Sequence, residues 1–400
     1  MLIIKKRPML ILFFAILFTS MLLRSNLVVI GPISDIVIND LKISATSFGL
    51  ITTIPLIVFA LSSAMIPFIA SRRGLINSLI IGLILIIIGS LLRSVSNYYI
   101  LLLGTFFLGF GISMGNVLIP AIIKDNAQEY RAIFTSFYLC MQNLLASLAS
   151  GIAIYITLQF SWSFLMAIWI IPAGIALILW LRYKSVSLED TKNNKTELSV
   201  FNWNTVKQLL ISPYAWGISL LMGLQSVMYY TNVAWLPTIA TDNNFSQEFV
   251  SFLMIAFQLI PLPGLFFVPI LFKKVKQDSY IVLLASACML IGTLSLMLTH
   301  NIVMFFIAVM FLSLGAGSCF AWVVATITNK TKDGQQASSL SAMSQTIGYS
   351  MAAVGPWLGG MLVDVTGSPQ TILIFILLIG VIVTIISVYV YLRRNTLSFD

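Results

Sequence analysis

Four hundred residues with a mean hydropathy of +1.01, 59% hydrophobic and only 9% charged, lie far from a water-soluble domain, where about a quarter of residues are charged. The net charge of +9 is no nucleic-acid signature, because the basic residues stand in short clusters between apolar runs, as in the loops of a polytopic membrane protein. Cys140, Cys288 and Cys319 all fall inside apolar runs at no metal-ligand spacing, which argues against a disulfide scaffold or a zinc site.

Twelve apolar segments follow one another at 8–30, 45–70, 75–93, 98–122, 133–158, 162–181, 214–238, 249–272, 279–298, 302–327, 337–362 and 371–392. Each is long enough to cross a bilayer as a helix, since roughly 20 residues at 1.5 Å span a core of about 30 Å. The first is preceded by Lys5, Lys6 and Arg7 and is too long for a secretory signal, so it reads as a retained helix. It also carries Arg24, past the midplane of the crossing. A charge there costs about 2.5–3.5 kcal/mol on insertion scales, so it is held by a partner, faces a cavity, or snorkels to the interface. The reading preferred here is a fixed positive charge for an anionic or strongly polar ligand.

The segments divide six and six around 182–212, the longest polar interval, giving a first bundle at 1–181, a solvated linker at 182–212 and a second bundle at 213–400. The 22 Lys and Arg fall almost wholly in alternate intervals, leaving Lys42 and Arg93 to loops on the other side. That asymmetry places both termini in the cytoplasm. Acidic residues lie in loops or at segment ends, so no carboxylate near the midplane neutralises Arg24 or carries protons. His300, in the loop Thr299-His300-Asn301, reads as a solvated residue.

An internal repeat supports the division. Phe107-Leu108 with Gly111 recurs as Phe311-Leu312 with Gly315, and Thr135-Ser136 with Gln142 recurs as Ser338-Ser339 with Gln345. Halves repeated in this way are the design of major facilitator transporters, whose ligand sits between the halves near the midplane. Segments 1, 4, 7 and 10, with 5 and 11, then line the cavity. Helical spacing puts Ser113, Asn116 and Pro120 on one face, Gln225, Tyr229 and Asn232 on another, and pairs Tyr138 with Gln142; Gln345 is the counterpart of Gln142, and Trp322 offers an aromatic wall with one N–H donor. The plainer alternative for each is an interhelical hydrogen bond of about 0.6 kcal/mol. Glycines in the fourth segment permit close helix approach, and Pro55, Pro67, Pro120, Pro261, Pro263 and Pro269 mark kinks.

Several runs carry a family resemblance: Leu23-Arg24 with Gly31-Pro32, Ser47 to Leu50 leading to Ile54-Pro55, Gly115-Asn116-Val117-Leu118-Ile119-Pro120, and Gln225-Ser226 to Trp235-Leu236-Pro237. Over nearly its whole length the chain resembles the cyanate/nitroimidazole permease family of the major facilitator superfamily. The resemblance implies an all-α membrane protein, a 12-helix alternating-access carrier of small solutes. The superfamily's G-x-x-x-D-R-x-G-R loop is represented by Pro67 to Leu75, with Ser71 in place of the acid; Arg72 and Gly74 remain as its gating residues. The Gly-Pro motif that drug exporters carry in the fifth helix is replaced by Ser150-Gly151-Ile152.

The expected function is therefore secondary transport of a small anion or polar solute, with Arg24, Asn116, Tyr138, Gln142, Gln225, Tyr229, Asn232, Trp322 and Gln345 in contact with it. The alternative is a proton-coupled multidrug or nitroimidazole exporter; a receptor or a membrane-embedded enzyme is the third reading. No G-x-x-x-x-G-K motif and no catalytic constellation is present, so neither ATP as direct driver nor catalysis is expected. The expected partners are the bilayer, the solute and a coupling proton, with no cofactor, no metal and no nucleic acid, and the chain is expected to act as a monomer.

Overall fold

The computed structural model describes residues 2–62, 65–126, 131–187, 203–275, 277–331 and 334–392. These form α1 (Leu2–Val28), α2 (Ser34–Leu41), α3 (Ala45–Ser62), α4 (Met65–Arg73), α5 (Leu75–Arg93), α6 (Tyr98–Asn126), α7 (Arg131–Gln159), α8 (Trp162–Ala167), α9 (Ile170–Ser187), α10 (Trp203–Ile211), α11 (Pro213–Asp242), α12 (Gln247–Leu259), α13 (Pro261–Lys274), α14 (Ser279–Leu298), α15 (Ile302–Lys330), α16 (Gly334–Thr366) and α17 (Gln370–Leu392). A 3-10 turn at Gly31–Ile33, where Pro32 has no N–H to continue a helix, separates α1 from α2. No strand occurs among the described residues. Lipid offers no hydrogen bonds, so apolar runs of this length satisfy their backbone internally as helices.

Among the described residues, ten stretches are long and apolar enough to cross a membrane. With α11 and α16, which carry more polar residues but run to 30 and 33 residues, they make the twelve passages expected from the sequence. The second expected segment holds α3 up to Ser62 and α4 from Met65, and the eighth breaks between α12 and α13 at Pro261. Most of the expected linker, 188–202, lies outside the described residues.

The chain forms two compact units, one from 1–41 with 61–198 and the other from 42–60 with 199–400. In the first, α5 and α6 pack backbone to backbone. A Cβ on Gly89 would stand 2.6 Å from Leu108 N, and one on Gly111 would collide with the carbonyl of Gly82. In the second, α14 and α15 do the same: Gly292 meets Leu312 N, and Gly315 meets the carbonyl of Ala285. Gly89 to Gly292 is a displacement of 203 residues and Leu108 to Leu312 one of 204. The repeat read in the sequence is therefore a repeat of helix contacts, made where the absence of a side chain lets two backbones touch.

Within the second unit, α3 lies along α16. Gly49 meets the backbone of Pro356, Gly360 meets that of Ala45, and Thr53 donates to the carbonyl of Ala353 at 2.7 Å. Asp364 completes the seam: its carboxylate accepts from the N–H groups of Ala45 (2.9 Å) and Thr46 (2.8 Å) and from the Thr46 hydroxyl. It thus caps the first turn of α3, where N–H groups have no helical partner. Asp364 lies beyond 362, where the apolar segment ends. Partial burial opposes its charge, but the hydrogen bonds from Thr46 and Ala45 prevail and hold the carboxyl below the usual Asp range.

A carboxyl whose pKa falls on folding stabilises above its unfolded pKa of about 3.9 and loses that effect as pH drops through the folded value. Asp364→Ala should lower stability at neutral pH by about 0.5–2 kcal/mol, nearer the lower bound because the group is exposed to water. The difference should shrink as pH falls through the folded carboxyl's depressed pKa, measured by denaturation in detergent from neutral to strongly acidic pH. An equal difference at both ends of that range would refute the capping role.

Candidate functional site

In the first unit the structure brings four of the expected residues together. Arg24 Nη1, on α1, donates to Asn143 Oδ1 on α7 at 2.6 Å. One position before Asn143, Gln142 donates through Nε2 to Asn116 Oδ1 on α6 at 3.4 Å, and Tyr138 donates through its hydroxyl to the same oxygen at 3.3 Å. Gly115 permits this convergence, because a Cβ there would strike Leu23, next to Arg24. Tyr138, Gln142 and Asn143 are buried, and Arg24 and Asn116 are half-buried.

Arg24 has a partner, the amide of Asn143, where the sequence showed none. Asn143 itself was missed, although an amide inside an apolar run was a visible signal. Helical spacing pairs Tyr138 with Gln142, but successive side chains diverge by only about 100°, so Gln142 and Asn143 both address neighbouring helices.

In the second unit, Tyr229, Asn232 and Gln258 define a further polar group. The Tyr229 hydroxyl donates to Gln258 Oε1 at 2.7 Å, and its ring stacks on Phe257 with centroids 5.6 Å apart. Gln258, on the last turn of α12 just before the break at Pro261, is 0% exposed and its Nε2 has no hydrogen-bond partner. Asn232 donates to the carbonyl of Met228 at 2.8 Å, and its buried Oδ1 likewise has no partner. Tyr229 and Asn232 lie three residues apart on one face of α11. Gln258 was not among the expected residues; its signal was a lone amide before a proline pair.

The other expected residues stand apart. Gln225, one turn before Tyr229, donates to the Ser226 hydroxyl at 2.8 Å. Gln345, half-buried on α16, donates to the Ser341 hydroxyl at 3.0 Å. Trp322 is corrected: fully buried, it donates its indole N–H to the carbonyl of Asp278 at 2.9 Å, so that donor serves the junction of α14 with α15. At the same junction Lys330 pairs with Asp278 at 2.8 Å and receives support from Tyr214. Arg72 is exposed and lies 4.4 Å from the centroid of the Phe68 ring. Gly74 precedes α5 with φ +82°, a conformation that favours glycine. Among the described residues no cluster suited to a metal ion occurs.

A family model of the Major Facilitator Superfamily matches residues 10–356, and again 218–398. The chain is 32% identical over 355 residues to the uncharacterized transporter YycB of Bacillus subtilis, spanning 88% of this chain and 86% of that one. It is 29% identical over 363 residues to a 2-nitroimidazole transporter of Escherichia coli, spanning 90% of this chain and 89% of the relative. The cyanate transport protein CynX of the same organism is 23% identical over 352 residues, spanning 86% and 88%. Among solved structures, a bacterial homolog of the human lysosomal transporter Spinster superposes with a TM-score of 0.78 at 14% identity, covering 96% of this chain and 97% of that one, which shows a shared fold.

Trp322→Phe keeps the ring and removes the donor. It should lower stability by about 0.5–1.5 kcal/mol while leaving transport unchanged, by parallel denaturation and uptake measurements. A loss of uptake at unchanged stability would return Trp322 to the solute site.

Proposed function

We propose that this chain, which belongs to the major facilitator superfamily, moves a small anion or compact polar solute across the cell membrane by alternating access. As a multi-pass transport protein it is no enzyme, and its relatives include carriers named for 2-nitroimidazole and for cyanate. The observation that carries the reading is Arg24, a guanidinium inside the first membrane passage, bonded to Asn143 beside the amides and phenol of Asn116, Gln142 and Tyr138. The guanidinium supplies the charge and a planar fork suited to carboxylate-like or cyanate-like groups; the neutral neighbours orient the solute.

The proposal includes a division at 1–181, 182–212 and 213–400, both termini in the cytoplasm on the distribution of Lys and Arg, and a monomer as working unit. Arg72 and Gly74 are proposed to serve conformational gating.

A second reading, a nitroimidazole-type exporter, is favoured by a separate observation. The unpartnered Gln258 Nε2, whose Oε1 is bonded by Tyr229 stacked on Phe257, presents a donor in an apolar setting that suits a neutral heteroaromatic solute.

In proteoliposomes, Arg24→Gln should reduce uptake of radiolabelled cyanate by at least about tenfold, and Arg24→Lys should restore part of it. Unchanged uptake would refute the anion reading. Loss of 2-nitroimidazole transport in Gln258→Leu, with Arg24→Gln unaffected, would establish the second reading instead.

A further inference from the structure

We propose that the first unit holds a second anion site, buried at Arg93 and built for a compact monovalent anion such as chloride. It is independent of the role assigned to Arg24.

Arg93 closes α5 and was expected in a loop, yet it is only 3% exposed. Its Nη1 donates at 2.9 Å to the main-chain carbonyl of Asn26, one of the carbonyls near the C-terminus of α1 that have no helical partner. Its Nε has no partner. Neither has the hydroxyl of Ser90, one turn earlier on the same face of α5, nor that of Ser25, nor Asn26 Oδ1, and all four atoms are buried. Gly104 of α6 packs against the Arg93 main chain and Gly89, sealing the junction from that side.

The charge balance is incomplete. The ion pair among the described residues joins Lys330 to Asp278 in the other unit, and Arg93 takes part in none. The C-terminus of α1 offers the equivalent of about half a negative charge. A buried ion left short of compensation is destabilising, and a bound anion offsets that cost. The unused groups match that need: the Nε–H and the two serine hydroxyls are donors, and Asn26 Oδ1 suits a water retained beside the anion. Full burial limits the guest to small ions and excludes lipid headgroups.

The test is thermal unfolding of purified full-length protein in detergent, in sodium chloride, bromide, sulfate and gluconate at matched ionic strength. Chloride and bromide should raise the apparent Tm with concentration, and sulfate and gluconate should not. Arg93→Gln should abolish the dependence, Ser90→Ala should weaken chloride by about tenfold, and Arg24→Gln should retain it. Equal melting in chloride and gluconate would overturn the proposal, as would a chloride effect that survives Arg93→Gln or one lost in Arg24→Gln alone. The last outcome would place the anion with Arg24. Should Arg93→Gln fail to fold, Ser90→Ala and Ser25→Ala decide: an unchanged chloride midpoint in both sinks the site.

Discussion

Hydrocarbon forms no hydrogen bonds, and that constraint governs this molecule more than any single contact. It makes the chain helical, and it leaves dispersion and close approach to hold the helices together, since lipid tails are as apolar as the side chains they meet. Glycine then becomes the contact residue. The crossings of α5 with α6 and of α14 with α15 bring main chain against main chain, and a methyl group at Gly89, Gly104, Gly111, Gly292 or Gly315 would find backbone in its way.

The same constraint sorts the polar residues. Thr19, Ser20, Thr105, Thr231, Thr293 and Ser387 each return a hydroxyl to the carbonyl four residues back and cost the bilayer nothing further. Ser62 with Ser113, Trp180 with Thr19, and Ser219 with Ser344 join neighbouring helices as glue. Outside these two classes stand, among others, the Arg24 group, the Tyr229 group and the Arg93 junction.

Twelve passages and an internal repeat were legible because both rest on local composition: hydropathy over some 20 residues, and Phe-Leu-x-x-Gly recurring in each half. Arg24 stood out for the same reason. Its bond to Asn143 spans 119 residues of sequence, and no periodicity within α1 or α7 predicts which of two adjacent amides will meet it. Arg93 was misplaced because a charge at the end of an apolar run reads as the start of a loop, whereas the end of α1 draws it inward with its carbonyls. Trp322 failed differently: a helix face says which way a side chain points, but the Asp278 carbonyl that takes its donor lies 44 residues away in the chain.

Dry and wet contacts also differ in what they allow. Glycine crossings gain from every touching atom and lose those contacts outright when the helices separate, because neither lipid nor water fills the groove equally well. The α3 seam is of another kind at its end, where the exposed carboxylate of Asp364 accepts hydrogen bonds from Thr46 and Ala45. Such bonds contribute modestly because water replaces each partner on opening.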